Sequence, residues 1–379
     1  MIDFNKPFLS GNEEKYISDA VRNGKISGNG KYTKLCQSFF ESNYKITKAL
    51  MTTSCTDALE MSALLCRLDE GDEVIVPSYT FVSSALAFVR ERAKIIFADS
   101  LPNHPNIDTS QIESLITPKT KAIVVVHYAG VACDMDEVMA LAKKYDLFVI
   151  EDAAQAIESK YNNKYLGTIG DFGTFSFHET KNIQCGEGGL LAVNSIKYAE
   201  RAEILWEKGT NRAEFFRGEV NKYGWVDVGS SFLPSEIVSA YLYSQIEHIK
   251  SIQAKRLEIW YRYFKNLSGL ADKGYFNLPI IPEFATNNAH MFYVVLVDIN
   301  QRTRLINSLR DKNIHAVFHY LALHKSDFYK EFYEGKELSN ADRFENCLLR
   351  LPFFNDLKLD QVNYICEQIR LFFKDESLN

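Results

Sequence analysis

Residues 172–189, FGTFSFHETKNIQCGEGG, determine how the rest of the chain is interpreted. Residues 173–177 alternate apolar and small side chains, which predicts a buried strand. A polar turn follows with one lysine, Lys181, and then GEGG, a stretch in which backbone must pass close to another group. A lysine between a buried strand and glycines is poorly explained as a solvated charge. Because desolvation would keep its amine unprotonated, Lys181 is a candidate amine nucleophile.

A second segment, residues 147–155 with the sequence LFVIEDAAQ, is an apolar strand that ends in Glu151 and Asp152. Open α/β sheets bind ligands at the carboxyl ends of their strands, which is where Asp152 lies. A carboxylate there and a lysine further along the chain are the pair that pyridoxal phosphate chemistry requires. The lysine binds the cofactor aldehyde covalently, and the carboxylate pairs with the pyridinium nitrogen.

The run EDAAQ, followed by SFHETKN and GEGG, resembles the sugar aminotransferases of the DegT/DnrJ/EryC type. The resemblance extends over about residues 4–352, nearly the whole chain. Within that family, HETKN and the chain length most resemble the transaminases that form dTDP-4-amino-4,6-dideoxygalactose. The resemblance implies an α/β, fold-type-I, pyridoxal-phosphate-dependent transferase with a mostly parallel central sheet and a smaller C-terminal α/β domain.

The order of strand and helix patterns agrees with that fold class. Short apolar strands alternate with helical segments, which predicts a mostly parallel sheet with right-handed crossovers. Strands are predicted at residues 73–77, 94–99, 120–127 and 147–152, with a helix at 135–145. Near Ser235 the pattern changes to one long helix through Tyr263, followed by a strand at 291–298 and a helix at 302–312. We therefore expect a large cofactor-binding domain, residues 1–235, and a smaller domain, residues 236–379.

A helix start near residue 55 is the candidate phosphate site. In LMTTSCTDALEM, residues 50–61, either Ser54 or Thr56 can cap a helix. Free backbone amides at a helix start bind phosphate, although an ordinary N-cap is the alternative. The resembled family has a Gly-Thr pair here that holds the cofactor phosphate, and Cys55-Thr56 occupy that position. A cysteine still supplies its amide if its φ is negative.

The resemblance implies roles for four more residues at the cofactor. Phe81 matches the aromatic residue that stacks on the pyridine ring, with a packed core aromatic as the alternative. Gln155 is expected near the ring hydroxyl, and Ser176 at the phosphate. Ser231 takes the place of a family asparagine that reaches the partner subunit's cofactor phosphate. We therefore expect a homodimer with shared active sites.

The substrate site is expected to include residues 209–227, a polar and aromatic-rich loop. The loop contains the cations Arg212 and Lys222 and aromatic residues such as Tyr223. Cations beside aromatic rings suit a nucleotide diphosphate and its base. A solvated loop is the alternative, but long loops inside compact domains are usually functional. His319 and Tyr320 match family positions that face the active-site cleft.

The resemblance also implies the reaction. The enzyme would transfer an amino group from L-glutamate, leaving 2-oxoglutarate, to a nucleotide-linked keto sugar. We expect a dTDP-linked 4-keto-6-deoxyhexose, which becomes a 4-amino-4,6-dideoxy sugar for a surface polysaccharide such as O-antigen or enterobacterial common antigen. Three points stay open: which sugar carbon is aminated, the stereochemistry of the product, and whether the nucleotide is dTDP or UDP.

Two other functions are considered. One is a 3-keto sugar aminotransferase, which would share the same cofactor residues. The other is a sugar dehydratase of the same fold, in which histidine replaces the lysine, so the presence of Lys181 argues against it. A non-catalytic regulator is disfavoured because Asp152 and Lys181 are both intact.

Composition excludes several classes of protein. A net charge of −6 and a pI near 5.8 argue against general nucleic-acid binding. The N-terminus lacks the apolar core of a signal peptide, and no apolar run approaches the ~20 residues that span a bilayer. We therefore expect a cytoplasmic protein without a membrane segment. Its seven cysteines form no CxxC pair, which favours reduced thiols over disulfides or a zinc cluster.

Signatures of other cofactors are missing. No GxGxxG follows the first strand, which weakens the case for a dinucleotide site, and no Walker loop occurs. Five of the histidines (127, 178, 315, 319 and 324) are too scattered in the sequence to predict a metal site. No metal is therefore expected.

Overall fold

The computed structural model describes residues 1–376 and contains two main sheets that differ in strand direction. The strands are β1 (Lys48–Thr52), β2 (Glu73–Pro77), β3 (Lys94–Ala98), β4 (Ser100–Leu101), β5 (His104–Ile107), β6 (Thr120–Val126), β7 (Phe148–Asp152), β8 (Lys160–Tyr161), β9 (Lys164–Tyr165), β10 (Phe172–Ser176), β11 (Gly189–Val193), β12 (Phe276–Asn277), β13 (Tyr293–Leu296), β14 (Val317–Phe318) and β15 (Leu348–Arg350). The helices are α1 (Glu13–Arg22), α2 (Lys31–Tyr44), α3 (Cys55–Cys66), α4 (Ser83–Arg90), α5 (Thr109–Leu115), α6 (Met135–Tyr145), α7 (Ala199–Trp206), α8 (Arg212–Arg217), α9 (Glu236–Glu247), α10 (Ile249–Ala271), α11 (Ile299–Asp311), α12 (Ser339–Cys347) and α13 (Leu359–Glu376).

The large sheet has seven strands in the order β1-β11-β10-β7-β6-β2-β3. Neighbouring strands from β10 to β3 are parallel, whereas β11 runs antiparallel to both β10 and β1. The predicted mostly parallel sheet is confirmed. Because β7 lies between β6 and β10, the carboxyl ends of these three central strands meet at one edge of the sheet.

Strand β6 shows why this sheet is apolar along its whole length. Successive side chains of a strand point to opposite faces. Ala122 and Val124 join one hydrophobic core, and Ile123 and Val125 join the other. Since both faces are covered, the strand is a continuous apolar run rather than an alternating one, as is typical of parallel sheets.

The second sheet is small and antiparallel, with the order β12-β13-β15-β14. It packs with α10, α11 and α13 around a separate core that includes Tyr263, Phe292 and Leu349. The boundary after residue 235 stays a prediction. Helix α9, just beyond that boundary, packs on α1 and α2 of the first part of the chain, where Ala240 contacts Ala20 and Tyr32. Residues 377–379 of the expected second domain lie outside the described residues.

Two predicted segments differ in the structure. The long helix expected through Tyr263 is two helices, α9 and α10, because the backbone at His248 (φ −104°, ψ 6°) leaves the helical region. Residues 209–227 are not all loop, since they contain α8. That short helix ends at Gly218, whose φ of 77° is a left-handed conformation that glycine adopts without strain.

Some further properties concern only the part of the chain that the structure describes. Within residues 1–376, no helix is both long and apolar enough to cross a membrane. In the same residues, His, Cys, Asp and Glu side chains form no group of three or more that could hold a metal ion. All seven cysteines are unpaired.

Glu236 joins the start of α9 to the start of α2. Its buried carboxylate accepts hydrogen bonds from the backbone N–H groups of Gly30 (2.9 Å), Tyr32 (2.7 Å) and Thr33 (3.1 Å). The Thr33 hydroxyl also donates to it. A carboxylate at a helix N-terminus satisfies backbone donors that have no partner within the helix, and it interacts favourably with the helix dipole.

We expect Glu236→Ala to lower the free energy of unfolding by about 3 kcal/mol, because it leaves three buried N–H donors without an acceptor. Urea unfolding at one fixed protein concentration measures this change. Glu331→Ala, which removes an exposed carboxylate, is the matched control and should change stability by less than about 0.5 kcal/mol. Equal stability of the two variants would contradict the capping role of Glu236.

Candidate active site

A cavity of about 430 Å³ lies at the carboxyl ends of the central strands. Both parts of the chain line it, because residues before β13, after β14 and at the end of β15 complete the wall. Its lining residues are Ser54, Cys55, Thr56, Phe81, Ser83, Ala154, Gln155, Ser176, His178, Thr180, Lys181, Glu187, His290, His319, Tyr320 and Arg350. Most of the residues predicted for the cofactor are therefore together in one place.

Lys181 lies in the turn directly after β10. Its backbone N–H donates to the His178 carbonyl at 2.9 Å, and Phe177 and Gly188 close the same turn through a 2.8 Å bond. Burial, more than any other cause, lowers the pKa of the Lys181 amine, and the positive charge of Arg350 lowers it further. The negative charge of Asp152 acts in the opposite direction. The lowered pKa makes the unprotonated amine, the nucleophilic form, available closer to neutral pH.

The glycines after Lys181 allow a close approach of two backbones. A Cβ at Gly189 would lie 2.3 Å from the Ser54 carbonyl carbon, at the start of α3. A Cβ at Gly188 would lie 2.5 Å from the Cys185 sulfur. Strand β11 can therefore pass beside the start of α3 only because Gly189 carries no side chain.

Asp152 ends β7 and is buried. Its Oδ2 accepts a 2.6 Å hydrogen bond from the Ser84 hydroxyl, and its Oδ1 accepts a 3.1 Å bond from the Ala154 N–H. Two donors on different elements fix the orientation of this carboxylate. A fixed negative charge close to Lys181 is the arrangement that the sequence predicted for the pair.

The start of α3 carries free donors toward the cavity. Ser54 is the N-cap and accepts from the Asp57 N–H at 3.1 Å, whereas Thr56 lies inside the helix. Within residues 1–376, the N–H groups of Cys55 and Thr56 have no hydrogen-bond partner. The φ of Cys55 is not positive, so its backbone N–H can face a phosphate in the same way as that of a glycine. Burial raises the pKa of the Cys55 thiol, which keeps it protonated beside Lys181.

Hydroxyl groups lie beside these free N–H groups. The Thr56 and Ser83 hydroxyls are 2.7 Å apart, and both residues line the cavity together with Ser176. Backbone amides at a helix start with hydroxyls beside them bind phosphate. The donors, the fixed carboxylate and the lysine together fit pyridoxal phosphate.

The aromatic residues of the cavity are arranged around Tyr320. Phe81 is 55% exposed with its ring 6.0 Å from that of Tyr320, so the alternative that it is a packed core residue is wrong. The His319 ring stacks on Tyr320 at 3.6 Å, and its Nδ1 is 2.6 Å from the Tyr128 hydroxyl. Gln155 donates from Nε2 to the Tyr320 hydroxyl at 2.9 Å. Tyr320 itself has a φ of 30°, a strained conformation of the kind that is found at functional sites.

Four predicted site residues lie elsewhere in the single chain. Arg212 and Ser231 line a second cavity of about 640 Å³, whose cations include Lys25, Lys34 and Lys208. Lys222 and Tyr223 line neither of the two cavities and are exposed. One chain therefore does not bring these residues to Lys181.

Sequence reasoning missed His290 and Arg350, both of which line the Lys181 cavity. The Nδ1 atom of His290 is 2.9 Å from the Asn182 amide oxygen, directly beside Lys181 in the chain. Arg350 is the last residue of β15. Both residues lie in the C-terminal part of the chain. No local sequence pattern marked them, because a single histidine or arginine near a strand end is common in any protein.

Comparisons with known proteins agree with the fold. The sequence profile of the DegT/DnrJ/EryC1/StrS aminotransferase family matches residues 8–370. The chain is 33% identical over 375 residues to the GDP-perosamine synthase of Escherichia coli O157:H7, covering 98% of each protein. It is 30% identical to the spore coat polysaccharide biosynthesis protein SpsC of Bacillus subtilis (strain 168), covering 97% of this chain and 96% of that protein.

A solved structure shows the same architecture. The crystal structure of S. venezuelae DesV in complex with a ketimine intermediate superposes with a TM-score of 0.89 at 26% identity, over 98% of both chains. With a family match across nearly the whole sequence and a full-length relative above 30% identity, this chain belongs to the DegT/DnrJ/EryC1/StrS aminotransferase family.

Proposed function

We propose that this aminotransferase binds pyridoxal phosphate and moves an amino group from L-glutamate to a dTDP-linked 4-keto-6-deoxyhexose. The product is a 4-amino-4,6-dideoxy sugar, dTDP-4-amino-4,6-dideoxygalactose, which supplies a surface polysaccharide. The observation that carries the proposal is the pair formed by half-buried Lys181 and buried Asp152 at the carboxyl ends of β10 and β7. There Lys181, with its lowered pKa, lies close to a hydrogen-bonded Asp152.

The residues of the cavity divide into groups with different tasks. Asp152 holds a fixed negative charge for the ring nitrogen, and Phe81 offers an exposed ring face for stacking. The Cys55 and Thr56 amides, with the Thr56 and Ser176 hydroxyls, bind the phosphate. Pyridoxal phosphate, when bound, withdraws electrons from the carbon that carries the reacting nitrogen.

Lys181 then carries the proton. Its Nζ takes a proton from the carbon that bears the nitrogen of glutamate, and returns a proton to the corresponding carbon of the sugar. A lowered pKa suits this task, because a general base works best when its pKa is near the working pH. His290 and His319, which are both buried, form part of the wall around Lys181.

Recognition of the nucleotide is proposed to need a second copy of the chain. Arg212 and Ser231 lie apart from Lys181 within one protomer, and the same region exposes a row of aromatic rings. Trp225 is 84% exposed and Phe216 70%. Large exposed apolar side chains beside cations favour an interface, and two-fold symmetry would make the exchange of this segment reciprocal.

The experiment that tests the proposal uses cofactor-loaded enzyme, L-glutamate and a panel of nucleotide keto sugars. The panel holds 3-keto and 4-keto 6-deoxyhexoses linked to dTDP, UDP and GDP, the last because a full-length relative is a GDP-perosamine synthase. NMR identifies the aminated carbon and its configuration. We expect amination at C4 of the dTDP sugar. Preference for a 3-keto or GDP-linked sugar would overturn the substrate assignment, and no amination of any sugar would overturn the reaction.

Shared active sites make a prediction about mixed dimers. Lys181→Ala and the double variant Arg212→Ala, Ser231→Ala should each be inactive alone. After co-refolding, the mixed dimer should regain one working site, because one site then combines an intact lysine with an intact neighbouring segment. Native mass spectrometry confirms the mixed species. Mixed dimers without recovered activity, or a fully active monomer, would contradict shared sites.

A further inference from the structure

Asn182, the residue after Lys181, is held in a buried network of amide groups. Its Nδ2 donates to the side-chain oxygen of Gln253 at 2.8 Å and to the backbone carbonyl of Asn288 at 2.9 Å. The same carbonyl accepts from the Nε2 of Gln253 at 3.2 Å. Because a backbone carbonyl can only accept, both amide side chains have one possible orientation. The Oδ1 of Asn182 is therefore the atom that faces the ring of His290, at 2.9 Å.

This orientation decides which nitrogen of His290 carries the proton. An amide oxygen only accepts, so the Nδ1 atom of the ring must donate to it. Burial, more than any other cause, lowers the pKa of His290 well below its usual value, and the positive charge of Lys181 lowers it further, so the ring is neutral. A neutral imidazole has one N–H, which leaves Nε2 without a proton. Nε2 can therefore only accept a hydrogen bond.

The chain supplies no donor for this acceptor. His290 is 5% exposed and lines the cavity that contains Lys181. Within residues 1–376 its Nε2 has no hydrogen-bond partner, although protein atoms do not enclose it. Once a ligand fills the cavity and excludes water, an acceptor in this position stays unpaired unless the ligand itself donates.

Two other side-chain acceptors of the site already have donors. The carboxylate of Asp152 accepts from the Ser84 hydroxyl and the Ala154 N–H. The side-chain oxygen of Gln155 accepts from the Ala129 N–H at 2.6 Å. The imidazole nitrogen differs from both, because no donor among the described residues reaches it. It is therefore left for a ligand.

We propose that the Nε2 of His290 accepts a hydrogen bond from a sugar hydroxyl on a carbon next to the keto carbon. The inference rests on the proposed function, because it assumes a keto sugar in this cavity. In a 4-keto-6-deoxyhexose, C3 carries a hydroxyl, whereas C5 carries the methyl group and the ring oxygen. The assigned group is therefore the C3 hydroxyl, and His290 is a specificity-determining residue for the sugar.

The chemistry of the two substrates favours the sugar. The amino-acid donor carries carboxylates, which only accept hydrogen bonds, so they have nothing to offer a bare nitrogen lone pair. A sugar hydroxyl can donate. Since the sugar carbon that reacts must come to Lys181, and Asn182 joins His290 to the next residue of that turn, a hydroxyl on the adjacent carbon is the group within reach.

The test measures sugar binding without turnover. Enzyme loaded with the aldehyde form of the cofactor has no amine to transfer, so calorimetry gives the affinity for a keto sugar directly. The probes are dTDP-4-keto-6-deoxyglucose and its 3-deoxy analogue. The wild type should bind the first about tenfold more tightly, equivalent to about 1.4 kcal/mol, which is the size of one hydrogen bond.

The variant His290→Asn separates the two nitrogens of the ring. Asparagine keeps an N–H near the position of Nδ1, so it can still donate to Asn182, but it places no atom at the position of Nε2. We expect it to weaken binding of the 3-hydroxy sugar about tenfold and of the 3-deoxy analogue less than about twofold. His315→Asn, which replaces an exposed histidine, is the control and should change neither affinity.

NMR of wild-type enzyme labelled with ¹⁵N-histidine tests the same claim without relying on the folding of a variant. The spectrum should show a proton on Nδ1 and none on Nε2 of His290. The Nε2 resonance should shift when the 3-hydroxy sugar is added, and stay in place with the 3-deoxy analogue.

The contrary outcomes are distinct. Equal losses for the two sugars in His290→Asn would reveal a purely structural effect, and unchanged affinity for both would show that Nε2 binds nothing; either result overturns the role. A proton on Nε2 in the wild type would also overturn it. If the wild-type enzyme binds the keto sugar but transfers no amine to it, the proposed function fails, while calorimetry with the two probes still decides the role of His290.

Discussion

Replacing Lys181 by alanine is expected to abolish amine transfer and the visible absorbance of the lysine-bound cofactor. The residue supplies both the covalent attachment and the proton carrier, and loss of a general base alone costs 10²–10⁴-fold in rate. We therefore expect turnover to fall by at least about four orders of magnitude. Steady-state assays with glutamate and the preferred sugar, together with an absorbance spectrum, measure both effects.

The control for this variant is Lys250→Ala, which removes an exposed lysine of α10. It should keep full activity and the full absorbance band. Near-normal transamination by Lys181→Ala would show that another group does the chemistry, and the assignment of the cavity would be wrong.

Asp152→Asn is expected to have the second largest effect. Asparagine keeps the shape but removes the negative charge. Its Oδ1 can still accept from the Ala154 N–H, while its Nδ2 would donate to the Ser84 hydroxyl, which can accept as well as donate. Without that charge the pyridinium nitrogen is no longer kept protonated, so the bound ring is a weaker electron acceptor. We expect kcat to fall by about two to four orders of magnitude, or roughly 3–5 kcal/mol of barrier.

This prediction separates a chemical role from a structural one. Cofactor content, measured after alkaline release, should stay close to that of the wild type, while kcat falls. Asp356→Asn, at an exposed position, is the control and should change neither quantity. An unchanged kcat in Asp152→Asn would exclude the pairing with the ring nitrogen.

The centre of the fold was predictable because its signals are local. The apolar run of β7 ends in a carboxylate, and the strand β10 is followed at once by a turn with Lys181. Parallel packing then brings the two strand ends together, with Thr174 of β10 in register with Asp152 of β7. Residues at strand ends, such as these, can be found from a short stretch of sequence, because parallel strands place their carboxyl ends at the same edge of the sheet.

Features that depend on distant parts of the chain were not predictable in the same way. Arg350 ends β15 and His290 precedes β13, so tertiary packing of the C-terminal part of the chain, and no local pattern, brings them to the cavity. The sequence predicts a helix that starts near Ser235, but nothing local shows that the carboxylate of Glu236 caps α2. The break at His248 was missed because α9 and α10 join without glycine or proline. The short helix α8 did have a signal, an asparagine before it and Gly218 after it.

A single protomer places Ser231, Arg212, Lys222 and Tyr223 away from the cavity that contains Lys181, so the roles proposed for them would need a second copy of the chain. Their predicted contacts stay predictions that the mixed-dimer experiment can test. The other donors proposed for the phosphate, in contrast, lie within one protomer, since Cys55 and Thr56 line the same cavity as Lys181.

The central claim is that the lysine of residues 172–189 holds the cofactor. Borohydride reduction of the cofactor-loaded enzyme, followed by proteolysis and tandem mass spectrometry, identifies the modified residue directly. We expect a single peptide from this stretch with the reduced cofactor on Lys181, and none in enzyme first converted to its amine form with glutamate. A modification on another lysine, or no modified peptide from protein with the bound cofactor, would contradict the claim.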